Sequence, residues 1–222
     1  MGIITLEKAD RLFWLGRYAE RVYTTIKEYF AGFDTMIDEN EESYAGFCRR
    51  INIPNIYADK EDFLRSYPFD TQNPDSILSN LYRAYDNAVV MREEIGTETL
   101  SYIQMAIYNM KAARESAAPL IELQKVVDDL LAFWGCFDDC VSDAVERSIG
   151  KAGRRLERLD LYLRFEMPVE SIRRETARLK DRIPKAQLEY DKRQLERIMQ
   201  LVSLDAIPYH EAIQLLENLL DV

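Results

Sequence analysis

One string of residues suited to charge recognition occurs twice in this chain. Gly-Arg-x-x-Glu-Arg appears at Gly16-Arg17-Tyr18-Ala19-Glu20-Arg21 and at Gly153-Arg154-Arg155-Leu156-Glu157-Arg158. A guanidinium stays charged and offers a planar fork of N–H donors that fits a carboxylate or phosphate. Residues three and four apart share a helix face, so Arg17, Glu20 and Arg21 can form a local ion-pair cluster, and so can Arg154, Glu157 and Arg158. Three chemistries compete. If the two helices lie together at the centre of the molecule, the clusters meet as a buried network. Such a network fixes register more than it adds stability, because desolvation opposes the attraction. If the guanidiniums open into a cleft, they suit an anionic ligand. If they face water, each pair is worth about 0–1 kcal/mol. Trp14 sits beside the first copy, and Arg92, Glu93, Glu94, Glu146 and Arg147 are candidate further members.

Other reactive residues are sparse. His210 is the lone histidine and no Glu stands three residues before it, so the Glu-x-x-His pairs of a di-iron helical bundle are missing. Cys136 and Cys140 share a helix face with Asp139 and Asp143 adjacent, but a closed thiolate site wants four ligands and Cys48 is the one other thiol. Two cysteines on an apolar helix read as small core residues, so no metal or cofactor is expected. Gly-x-Ser-x-Gly, P-loop and dinucleotide fingerprints are absent. The acids Asp128, Asp129, Asp138, Asp139 and Asp143 read as a solvated face. No catalytic residue is assigned.

These residues need helices to position them. With each glycine as the origin, Ala9, Leu12, Gly16, Ala19, Tyr23, Ile26 and Phe30 fall on one stripe, as do Val145, Ile149, Gly153, Leu156 and Leu163. Both arginines of each copy lie on the far side of that stripe, with the glutamate at its edge. The first helix is expected from Leu6 to Asp38, capped by Thr5 and apolar nearly all round early on. Residues 39–74, punctuated by Pro54, Pro68 and Pro74, are expected to be an irregular crossover or lid with short helices such as Asp59–Tyr67. Further helices are expected from near Asp75 or Ser76 to about Glu94, from Glu98 to Ser116 with Thr97 as cap, and from Pro119 in a first-turn position to a turn or bend somewhere between Cys140 and Ala144, with Ile121 and Leu131 in its apolar set. The second motif helix then stops at Met167-Pro168. Val169–Arg182, Lys185–Ser203 and Tyr209–Leu220 follow, broken by Pro184 and Pro208. No strand pattern competes. The expectation is a single all-α domain over residues 1–222: a multi-helix bundle with a long central N-terminal helix and an equivalent helix carrying the second motif.

Composition agrees. The chain has 222 residues, is 47% hydrophobic and carries only eight glycines and seven prolines. A net charge of −10 argues against a nucleic-acid partner, and Arg147 to Arg182, though basic, is interleaved with acids. No apolar run is long enough for a membrane span and no signal peptide is evident, so a reducing cytoplasm is expected. The C-terminal helices are a candidate homo-oligomer surface.

Phe13-Trp14-Leu15-Gly16-Arg17-Tyr18-Ala19-Glu20-Arg21 resembles the signature of the bacterial alpha-E family, an all-helical group with recurring Glu-Arg motifs. Gly153–Arg158 resembles the family's later copy, and Asp86–Ile95 its middle segment. The resemblance implies a compact variant of an all-helical domain whose biochemistry is not established. It also implies an accessory role beside a circularly permuted ATP-grasp peptide ligase and transglutaminase-like proteins, in peptide synthesis or tagging. An enzyme or small-anion-binding protein using the paired clusters in a helix-lined cleft is the alternative.

Overall fold

Leu6–Asp38 forms one unbroken 33-residue helix, α1, in the computed structural model, which describes residues 4–38 and 42–220. Thr5 caps it, its hydroxyl accepting the Lys8 N–H at 3.3 Å. Two short helices follow, α2 (Glu42–Arg50) and α3 (Lys60–Ser66), then α4 (Ile77–Val90), α5 (Arg92–Ile95), α6 (Thr97–Glu115) and α7 (Pro119–Cys140). The second motif rides on α8 (Ala144–Arg164), followed by α9 (Val169–Ala186), α10 (Lys192–Ser203) and α11 (Tyr209–Glu217). An isolated bridge between Tyr190 and Leu220 is the extended pairing among the described residues. The fold is an all-α bundle.

The central element is the α1–α8 pair, the most extensive helix contact in the molecule. Contacts along the seam ascend together, from Lys8 near Glu146, through Gly16 against Gly150, to Glu20 with Arg158, so the two helices run parallel. Glycine makes the close approach possible. A β-carbon on Gly16 would collide with the Gly150 carbonyl oxygen, and one on Gly153 with the Phe13 carbonyl oxygen. These two contacts exchange under a two-fold axis running along the pair. Around it α4 packs on α1, α9 on α8, and the antiparallel α6–α7 hairpin closes another side. The α10–α11 pair covers α9 and α8. At the far end of α1, Tyr44, Phe47, Tyr57, Phe63 and Tyr67 from the 39–74 crossover build an aromatic cluster with Tyr29. Residues 39–41 of that crossover lie outside the described residues.

Several expected details are corrected. The 76–94 helix is two, because Met91 (φ −91°, ψ 16°) leaves helical geometry while its side chain stays 1% exposed in the core. Gly96, at φ +83°, stands where Thr97 was expected to cap α6, and the Thr97 hydroxyl instead accepts from Arg92 Nε at 3.2 Å. Proline 184 does not stop α9. It sits in the last turn, where its missing N–H costs a single helical bond, and the helix ends beyond it at a left-handed Gln187. The α10 start moves from 185 to Lys192, where the Asp191 carboxylate accepts the N–H groups of Arg193 and Gln194 at 2.8 and 3.1 Å. Helix α11 ends at Glu217 because the next residues join the bridge with Tyr190. Ile121 and Leu131 are exposed on α7. Asp129, expected in water, is buried and accepts from Asn109 Nδ2 at 2.7 Å.

Candidate functional site

The parallel register brings the two Gly-Arg-x-x-Glu-Arg copies level, and each glutamate is taken by the arginines of the opposite copy. Glu157 Oε2 accepts from Arg17 Nε at 2.7 Å, and its Oε1 pairs with Arg21 Nε. Reciprocally, Glu20 Oε2 accepts from Arg154 Nε at 3.0 Å and from Arg158 Nη2 at 2.9 Å, while Oε1 accepts from Arg158 Nε at 2.6 Å. Thr24, one turn along α1, adds a hydroxyl donor to Glu20 Oε1 at 2.8 Å. The carboxylates are 0% and 1% exposed, and the four arginine side chains between 12% and 32%.

This corrects the helical-wheel expectation of a cluster facing away from the apolar stripe. Each glutamate lies one turn beyond the contact glycine, on the face that meets the partner helix. Its own arginines flank the seam and reach across it. Aromatic faces cover the outer sides of the guanidiniums: Trp14 lies 4.7 Å from Arg17, Trp134 of α7 lies 4.3 Å from Arg154, and Tyr23 lies 5.7 Å from Arg158. A family model for a predicted alpha-helical domain with a conserved ER motif matches residues 7–213.

The chain belongs to the Alpha-E family. No curated protein and no solved structure matches it. In this Alpha-E chain the Glu and Arg of the motif are cross-helix partners rather than a local pair. Arg17, Glu20, Arg21, Arg154, Glu157, Arg158 and Trp14 meet in one network. The other candidates do not join it. Arg92 bonds Thr97, and Glu93 is exposed. Glu94 pairs with Lys8 near Glu146 at the opposite end of the α1–α8 seam, and Arg147 donates to the Val141 carbonyl at 2.6 Å.

Two buried acids extend the Alpha-E network, and neither carries a sequence signal. Glu175 of α9 accepts from Arg155 at 2.8 Å and Arg178 at 2.6 Å. Asp160 accepts from Arg164 Nε at 2.8 Å through Oδ2, and its buried Oδ1 has no protein partner. Trp134 was legible as an apolar residue of α7 but not as the cover of Arg154. Its Nε1 is buried without an acceptor.

Electrostatics follow burial and pairing. Desolvation pushes the Glu157 carboxyl up, but Arg21 and Arg17 outweigh it and hold it below the usual carboxylate range. Glu175 behaves alike, with Arg155 and Arg158 outweighing desolvation. Asp160 goes the other way, raised by desolvation and by the neighbouring Glu157 charge. Beside Arg21 lies a cavity of about 10 Å³, lined also by Thr25, Tyr67, Asp75 and Asn80, with room for one water. Every described carboxylate oxygen of Glu20 and Glu157 is already bonded by protein, so the arrangement holds helices together chemically and leaves neither carboxylate free as a base.

Proposed function

We propose that the chain is a helical accessory or scaffold domain whose Arg/Glu network organises the bundle. The observation that carries this reading is closure: two buried carboxylates, each satisfied by two guanidiniums from the other helix, with water-sized space beside them. Pairing of this kind locks one helix register against alternatives, since every unpaired arrangement leaves a buried charge. On this reading the domain works in the cytoplasm beside a circularly permuted ATP-grasp peptide ligase, and with transglutaminase-like proteins, in peptide synthesis or tagging. The Alpha-E resemblance supports that partnership. Co-expression with such a ligase from the same gene neighbourhood tests it. A complex that survives size exclusion, with ligase activity dependent on this chain, supports the role; separate elution and unchanged activity reject it.

One observation favours a second reading, an anion-binding site. Four guanidiniums surround two carboxylates, and Arg17 and Arg21 keep 21% and 32% of their side chains in contact with water. Thermal melts in phosphate, citrate and chloride at matched ionic strength separate the readings. Scaffold behaviour gives the same rise from phosphate or citrate over chloride in the wild type and in Arg17→Ala, as exclusion of these anions from any surface does, whereas an anion site gives a larger rise in the wild type that is lost in Arg17→Ala.

A further inference from the structure

Away from the network, the open end of the α6–α7 hairpin gathers three metal-ligating side chains. Helix α7 ends at Cys140, so Cys136 and Cys140 occupy its last turn on one face, with Sγ atoms 3.4 Å apart. Helix α6 starts beside them, and Glu98 in its first turn brings a carboxylate oxygen within 4.8 Å of both sulfurs. Both cysteines are half-buried and Glu98 is exposed, so these thiols are not the core residues their helix position suggests; Cys48 is the core thiol.

We propose that Cys136, Cys140 and Glu98 bind a zinc ion that staples the start of α6 to the end of α7. Three features of the site support it. Tetrahedral zinc with Zn–S near 2.3 Å holds two sulfurs about 3.8 Å apart, within a small side-chain rotation of the observed spacing. Two thiolates with one carboxylate favour zinc over the hard cations, which prefer all-oxygen sites. The Thr99 hydroxyl, fully buried, donates to Cys136 Sγ at 3.3 Å and supplies the outer hydrogen bond that orients a thiolate ligand. Gly96, at φ +83° where a side chain would be strained, turns the chain from α5 into α6 beside Cys140. Binding exchanges the two thiol protons, released to solvent, for one divalent ion, and water takes the fourth position.

The reduced, metal-stripped full chain titrated with cobalt(II) and then zinc(II) tests this. The expected result is a single equivalent of cobalt with a near-ultraviolet thiolate-to-cobalt charge-transfer band, displacement by zinc, and a raised melting temperature for the zinc form. Cys136→Ser and Cys140→Ser each abolish the band. Glu98→Gln, at an exposed position, leaves the fold intact and weakens binding about 10-fold, as does Thr99→Val. His210→Ala binds as the wild type does. Absence of binding at micromolar cobalt, a band that persists in both serine variants, Glu98→Gln binding as tightly as the wild type, or isolation of a metal-free Cys136–Cys140 disulfide would each overturn the proposal.

Discussion

Glu20 and Glu157 occupy equivalent places in the two helices but are held differently. Glu20 has a two-point fork from Arg158, a further bond from Arg154 and one from Thr24, whereas Glu157 takes one bond from each of Arg17 and Arg21. Glu157 titrates below its unfolded value of about 4.3, so its stabilising contribution is complete above that pH and is lost as pH falls through the folded value. Glu175 has the same sign. Unfolding midpoints are therefore expected to drop below about pH 4, and Glu157→Gln should flatten that acid limb in a pH series of urea melts. Asp160 has the opposite sign: its raised folded pKa favours the folded state at low pH and costs stability above. Asp160→Asn should thus raise the midpoint at pH 7 and leave it unchanged at pH 3. Which residue types take part was readable in the repeated string. Which glutamate meets which arginine was not, because phase on one helix carries no information about the register of two. Asp160 and Glu175 were hidden for the same reason, as their burial is imposed by α8 and α9 packing together.

Helix α1 meets α8 at glycine, and the contact is backbone against backbone. Gly16→Ala and Gly153→Ala each place a methyl group against a carbonyl oxygen of the other helix, with no flexible side chain to yield. Each is expected to destabilise by about 3 kcal/mol or more. Gly135→Ala on α7 is the control, since a β-carbon there meets nothing within 4 Å. It should stabilise by about 0.5–1 kcal/mol through helix propensity alone. Differential scanning calorimetry of the three variants reads both signs. Apolar period and caps made most helices legible, down to Pro119 opening α7 and Ser76 capping α4 through the Ser79 N–H at 3.0 Å. Where reading failed, one bond decided. Pro184 was tolerated in a last turn, and Asp191 rather than Pro184 set the start of α10, so Asp191→Ala should cost about 1 kcal/mol.

The molecule as a whole is arranged around a parallel helix pair whose members are far apart in sequence, and every other helix packs on one or both of them or on their neighbours. Sequence alone supported two equivalent helices, an all-α bundle and the Alpha-E resemblance, because these rest on local pattern. It did not disclose the two-fold exchange of glycine contacts and ion pairs, which exists only once α1 and α8 are level. The partner of this domain is beyond local pattern too, since a docking face is defined by the chemistry of what it meets. That the buried network locks the bundle is tested most directly by a double-mutant cycle on Glu20 and Arg158 followed by equilibrium urea unfolding. Glu20→Ala strands two guanidiniums and is expected to cost about 3–5 kcal/mol. The double variant should cost less than the sum of the two single changes, with a coupling of about 2–3 kcal/mol. A near-neutral Glu20→Ala, or single effects that simply add, would contradict a closed and stabilising network.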